Sequence, residues 1–300
     1  MTTETLALAE DQFSLPEQHR LRTLGLIARR NPLGVFGLVI AVVFTFLALF
    51  GPFITPYDPQ QPDVSAQLQG PSLAHPFGTD TLGQDILSRV IAGARISFII
   101  GLAAVAIGVT GGSLMGVISG YFGGVVDSFI QRSGEAAAAF PGLFLYLMMI
   151  AALGRGEKTI VLAIALSSFI GGSRIMRVIA LGLKGTAFVE ASRSIGASDR
   201  RILFRHIIPN VMPFVIIGYS GAWGGAVLGE AAISFLGLGV TPGTPSWGMD
   251  LSSNYQLAAT LGYWHLVAFT GGAISLVVLG FNLMGDTLRD ILDPRLRGQV

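Results

Sequence analysis

The sequence has no cysteine, which removes disulfides, thiolate nucleophiles and Cys-ligated metals together. It is almost as poor in charge. Only 12% of residues are Asp, Glu, Lys or Arg, against about 25% in soluble domains. With 51% hydrophobic residues, too few charges remain to coat a water-soluble globule of 300 residues. The histidines His19, His75, His206 and His265 fall on different segments and make no metal site. No G-x-x-x-x-G-K-[ST] loop occurs, and Lys184-Gly185-Thr186 has the wrong order for one, so this chain is not expected to hydrolyse ATP. A net charge of +1 and the absence of a basic, aromatic-interleaved tract argue against nucleic acid as a partner. Glu4, Glu10, Asp11 and Glu17 precede the first arginine, which does not fit a cleavable signal peptide.

What is abundant is apolar sequence in long uncharged intervals. These run over 31–57, 96–126, 136–154, 159–173, 206–229, 231–249 and 251–285. A helix needs about 20 mostly apolar residues to cross a bilayer. The intervals predict spans near 33–54, 97–119, 128–153, 160–183, 211–236 and 263–284. Stretch 237–262 holds Gly237, Gly239, Pro242, Gly243 and Pro245 and reads as an extramembrane loop. Gly101, Gly108, Gly111, Gly112 and Gly116 permit close approach of helix backbones in lipid. The fold class is an all-α polytopic membrane protein with six transmembrane helices.

Basic residues orient it. With both termini inside, Arg20, Arg22, Arg29, Arg30, Arg132, Arg174, Arg177, Lys184, Arg193, Arg200, Arg201, Arg205, Arg289, Arg295 and Arg297 are cytoplasmic, leaving Arg89, Arg95, Arg155 and Lys158 outside. The division is then a cytoplasmic tail (1–32), a first span (33–54), an extracytoplasmic loop (55–95), a five-span core (96–284) and a second cytoplasmic tail (285–300). The outer loop opens on Pro56, Pro59, Pro62, Pro71 and Pro76, which prevent a continuous helix. A separate interfacial helix is expected over about Asp80–Ala94, with Leu82, Ile86, Val90 and Ile91 on one side.

The inner loop 184–209 reads as two short helices broken at Gly196, the second capped by Ser198 with Asp199 in its first turn. Ile202, Leu203 and Phe204 offer apolar surface beside Arg200, Arg201 and Arg205, and Pro209 ends the segment. An amphipathic helix projecting into the cytosol suits a groove on a soluble partner. Glu190-Ala191-Ser192, followed by Gly196-Ala197, His206 and Pro209, resembles the EAA loop of ABC importer permeases.

Gly78-Thr79-Asp80, Gly93-Ala94-Arg95-Ile96-Ser97, Gly120-Tyr121-Phe122-Gly123-Gly124, Arg205-His206-Ile207-Ile208-Pro209-Asn210, Ser234-Phe235-Leu236-Gly237-Leu238-Gly239 and Asn282-Leu283-Met284-Gly285-Asp286 narrow the resemblance. They are similar to the dipeptide/oligopeptide permeases, C-type subunit, over roughly residues 20–297. Gln84 departs from the usual arginine, Glu135 from aspartate and Ser192 from the second alanine of the loop motif. The resemblance implies a bacterial or archaeal inner-membrane permease that passes di- or oligopeptides or similar small solutes. It implies a second homologous permease, two ATPase subunits or a fused pair holding ATP and Mg, and an extracytoplasmic solute-binding protein. It makes 184–209 the coupling loop, with Glu190, Ala191, Gly196, Ala197, Arg200, Arg201, His206 and Pro209 against the ATPase.

Two other readings compete. A secondary transporter wants ionisable groups at mid-membrane, and Glu230 is the main candidate, as a pathway charge or as a structural one. An intramembrane serine protease would use Gly218-Tyr219-Ser220-Gly221 with His265 or with His206 and Asn210. Asp127 and Glu135 are expected to pair with nearby arginines. Arg174 and Arg177, three apart on one helix face, either snorkel to the inner surface or face the pathway or the coupling loop.

Overall fold

The computed structural model describes residues 31–241 and 243–292; the tails bearing Arg20, Arg22, Arg29, Arg30, Arg295 and Arg297, and Pro242, lie outside the described residues. Helices α1 (Pro32–Ile54), α2 (Ile86–Phe122), α3 (Gly124–Ala138), α4 (Gly142–Leu153) and α5 (Glu157–Lys184) come first. After them come α6 (Ala187–Ser194), α7 (Asp199–Ile202), α8 (Ile208–Phe235), α9 (Trp247–Leu261) and α10 (His265–Leu292). A π-helical stretch, Leu203–Ile207, joins α7 to α8 into one rod of 37 residues. Five helical rods are long and apolar enough to span a membrane; α3 and α4, bent by 92°, qualify as a sixth only together.

The glycines of α2 decide what that bent pair does. A Cβ at Gly108, Gly112, Gly116 or Gly120 would sit 2.5, 2.5, 2.3 or 2.5 Å from the carbonyl oxygen of Ala165, Phe169, Ser173 or Arg177. Both series advance by four residues in the same direction, so α2 and α5 lie parallel with backbones touching along their ridges. Gly120 is therefore level with Arg177. The chain leaving α2 must climb back to Glu157, twenty residues up α5, which is about 30 Å at 1.5 Å per residue. That distance is the hydrocarbon thickness, so α3–α4 is a broken span, its bend set where Pro141 forces Phe140 out of helix.

α1 buries Gly34, Gly37, Ala41, Phe44, Ala48 and Gly51, a stripe at alternating steps of three and four. Gly37 is pressed on the Gly280 carbonyl of α10, and Gly51 on Ile91 of α2. The other face, with Phe36, Val39, Val43, Phe46 and Phe50, is exposed, as a lipid-facing surface must be.

Two expectations are corrected. No separate helix covers Asp80–Ala94: the helix starts at Ile86, where the Asp85 carboxylate accepts from the Ser88 N–H, and continues through Phe122. Nothing breaks helix between 86 and 97, so the amphipathic turns are the first turns of the span. Stretch 237–262 is not all loop, since α9 occupies Trp247–Leu261 once the glycines and prolines end. Trp247 is buried and donates its indole N–H to the Val90 carbonyl, 2.9 Å, holding α9 across the top of α2.

Candidate functional site

The loop between α5 and α8 is built around one left-handed residue. Gly196 has φ of +80° with open space about it, so conformation alone requires glycine there. Its N–H donates to the Arg193 carbonyl and that of Ala197 to the Ser192 carbonyl, 3.0 and 3.1 Å, the paired bonds that close a helix end at glycine. The Ser198 side chain accepts from the Arg201 N–H at the start of α7, and Asp199 accepts from the Tyr121 hydroxyl, 2.6 Å, tying the loop to the end of α2. His206 lies with Nε2 3.3 Å from the Ser192 hydroxyl, linking the two halves of the loop.

α6 turns Val189 and Ser192 inward and leaves Glu190 and Ala191 exposed. Arg200, Arg201 and Arg205 are exposed around Phe204, 64% accessible, with Ile195 at 86% on the preceding turn. Ile202 and Leu203 do not share that surface; they are buried in the bundle's own core, so Phe204 is the one of the three that faces out. Pro209 does not end the segment either. Pro209 is the second residue of α8, and the Ile208 N–H reaches back five residues to the Leu203 carbonyl. That wider turn gives the proline ring room it lacks in a regular helix, so the rod continues unbroken.

A cavity of about 700 Å³ opens between α4, α5, α8 and the end of α10. Its walls carry Ser167, Ser168, Gly171 and Gly172 from α5, Gly218, Gly221 and Gly225 from α8, Tyr146 from α4, and one charged residue, Arg289. Between these small and hydroxyl-bearing residues the wall is apolar, with Ile164, Ile175, Met176, Phe214 and Ile217. Glu230 is not on it. That carboxylate is fully buried, accepting from Ser234 (2.7 Å) and Ser246 (3.0 Å) at Oε1 and Ser97 (3.0 Å) at Oε2. It joins α2, α8 and the start of α9, an arrangement that supports its structural reading.

The arginines of α5 part company. Arg177 grips Asp127 of α3 with both ends of its fork, Nε–Oδ1 2.5 Å and Nη2–Oδ2 2.6 Å. Glu135 pairs with Arg132, 3.0 Å. Arg174 is exposed and lines a polar cavity of about 360 Å³ with these four. The protease constellation is not assembled. Ser220 donates to the Ile217 carbonyl and packs at Gly285, whereas His265 is twenty residues away along the same α10, about 30 Å by helical rise. The Asn210 amide donates to the His206 carbonyl instead of to a reacting centre.

Local sequence reading missed a second clamp. Arg89 donates to Pro59 O (2.8 Å), Gln84 Oε1 (2.7 Å) and Asp250 Oδ1 (3.0 Å), so one buried guanidinium holds loop 55–85 and α9 together. Gln84, the residue that departs from arginine, thus accepts from Arg89 and donates to the Gln60 carbonyl, 2.9 Å. Both bonds from Arg89 to Asp250 fall on one oxygen, leaving Oδ2 buried without a partner. Burial, opposed by Arg89, pushes the Asp250 carboxyl up to about 6. A partner 161 residues away leaves no local pattern to read.

Residues 112–298 match the family described as binding-protein-dependent transport system inner membrane component, and residues 27–71 the N-terminal TM domain of oligopeptide transport permease C. Among relatives, the glutathione transport system permease protein GsiD of Escherichia coli is 40% identical over 271 residues, 90% of this chain and 89% of its own. The dipeptide transport system permease protein DppC of Alkalihalophilus pseudofirmus is 37% identical over 290 residues, 96% and 93%. These matches agree with an all-helical architecture of five apolar rods and a bent pair that makes a sixth only together: the chain belongs to the multi-pass inner-membrane permeases of binding-protein-dependent ABC importers, in the peptide-transport branch with C-type subunits.

Proposed function

We propose that this permease forms one wall of a path for di- or oligopeptides, glutathione or similar small solutes, with a second, homologous permease forming the other. Both termini and loop 184–209 face the cytoplasm, where two ATPase subunits or a fused pair bind ATP and Mg. An extracytoplasmic solute-binding protein delivers cargo to the end that carries loop 55–85 and α9. This chain carries out no covalent chemistry: closure of the ATPase pair shifts the bundle between two arrangements.

The observation that carries the reading is the continuity of the Asp199–Phe235 rod. One end presents Phe204 among Arg200, Arg201 and Arg205, and further along it Gly218, Gly221 and Gly225 line the cavity. Exposed phenylalanine ringed by arginine is what an apolar pocket with an acidic rim would receive. A push on Phe204 therefore reaches the cavity wall without crossing a flexible joint.

Phe204→Asp tests it in the assembled complex. It places an unpaired charge in the docking pocket and is expected to lower ATP-driven uptake and cargo-stimulated ATPase at least about tenfold, the consequence of about 1.4 kcal/mol or more of lost docking. Because Phe204 is exposed, membrane insertion stays normal. Unchanged uptake and stimulated ATPase in that variant would refute the coupling role. Glu230 offers no support for a self-contained secondary transporter, being buried and saturated by serines away from the cavity.

A further inference from the structure

We infer that Arg174 is a transit contact for carboxylate-bearing cargo, on the wall that joins the large cavity to the polar one beside α3. The inference rests on the permease reading above and names the chemistry that reading leaves open.

α5 links the two cavities by one stripe. Gly171 and Ile175 line the large cavity, while Arg174 and Val178 line the polar one. The spacing of three, four and seven residues places all four on a single helix face, and all four are exposed. Solute that slides along the uncharged wall at Gly171 therefore meets Arg174 about one helical turn further on.

Charge accounting fixes what that residue can do. The polar cavity holds Asp127, Glu135, Arg132, Arg174 and Arg177. Asp127 is engaged by both arms of Arg177, and Glu135 by Arg132. Among the described residues Arg174 forms no ion pair. The large cavity adds Arg289, likewise without one, and no carboxylate. Among the described residues the two walls thus carry two positive charges without an ion-pair partner, separated by a surface of glycine, serine and apolar side chains such as Ile164, Ile175 and Phe214. A guanidinium in that setting takes a carboxylate by a two-pronged bond, and its exposure keeps the bond weak enough for release. An acidic side chain on the partner permease, or a lipid phosphate, would also satisfy an exposed arginine; each makes a different experimental prediction.

The experiment uses the full complex, with both permeases, ATPases and binding protein, in proteoliposomes. The probes are the isosteric pair alanyl-glutamate and alanyl-glutamine, supplied at saturating binding protein so that capture does not limit. Arg174→Gln is expected to slow alanyl-glutamate uptake about fivefold and alanyl-glutamine uptake about twofold, the range of one exposed charge pair. Arg174→Lys is expected to restore most of the difference, because it returns the charge without the fork. Equal slowing of the two probes would overturn the inference and favour a lipid or structural role. Loss of the second permease on purification of Arg174→Gln would overturn it in favour of an interface ion pair. If the unaltered complex drives uptake of neither probe with ATP, the permease reading for peptides falls, and this inference with it.

Discussion

Glu230→Ala removes the sole acceptor of three hydrogen bonds in a site with no water access, so its cost follows from the donors left behind. Ser97, Ser234 and Ser246 are all fully buried. Ser97 and Ser234 stand within helices and can turn their hydroxyls to the carbonyl four residues back, a weaker arrangement costing about 0.5–1 kcal/mol each. Ser246 precedes α9 and has no such carbonyl, so its stranded hydroxyl costs about 1–3 kcal/mol. The void left by the lost carboxyethyl atoms adds about 1–2 kcal/mol. The total is about 3–7 kcal/mol, centred on about 5, which at about 2–4 °C per kcal/mol for a chain of this order lowers the melting temperature by about 10 °C or more. Glu230→Gln keeps an oxygen for Ser234 and Ser246 and lets the Ser97 hydroxyl rotate to accept from the amide; about 1 kcal/mol is expected. The assay is thermal unfolding of the detergent-purified complex, run beside uptake in proteoliposomes. A Glu230→Ala midpoint within about 2 °C of the parent would refute the accounting. Glu230→Gln with parental stability and no uptake would refute the structural role itself.

Gly196→Ala forces a Cβ into the left-handed region at about 1–2 kcal/mol, with no clash to add. The expected outcome is normal membrane insertion with reduced cargo-stimulated ATPase; parental coupling in that variant would argue that the turn is dispensable. Asp250 supplies a pH test. Its folded-state value of about 6 lies above the ordinary 3.8, so its contribution favours folding most below pH 4 and is lost as pH rises through 6. The swing is about 3 kcal/mol. Asp250→Asn is expected to flatten that part of the stability profile between pH 4.5 and 7.5, and an identical slope in parent and variant would contradict it.

The spans were legible because lipid imposes a coarse rule: charge is excluded over a fixed length, and α1 at Ile54 and α10 at His265 obey it within a residue or two. Where the rule is silent, the reading slipped. Arg89 and Arg95 seemed to close the second span near 97, yet helix geometry does not require uncharged residues, only lipid does, so α2 extends beyond the hydrocarbon to Ile86. The bend at Pro141 and the start of α9 after Ser246 carry local signals that the long uncharged intervals overshadowed. Gly196 and the Ser198 cap were readable because their causes sit within six residues. The serine cage around Glu230 and the clamp around Arg89 were not, since each joins residues more than a hundred positions apart.

The wide turn at Leu203–Ile207 also works as an index. Successive residues of an α-helix point about 100° apart, so removing one residue there would rotate everything before it by about that angle relative to everything after it. Phe204 and its arginines would then face a different compass bearing from the glycines at 218, 221 and 225. Length is thus under tighter constraint in this stretch than identity is. Point changes at exposed positions leave the bearing intact, whereas a single insertion or deletion would mis-set the two ends of the rod even though every helix still formed.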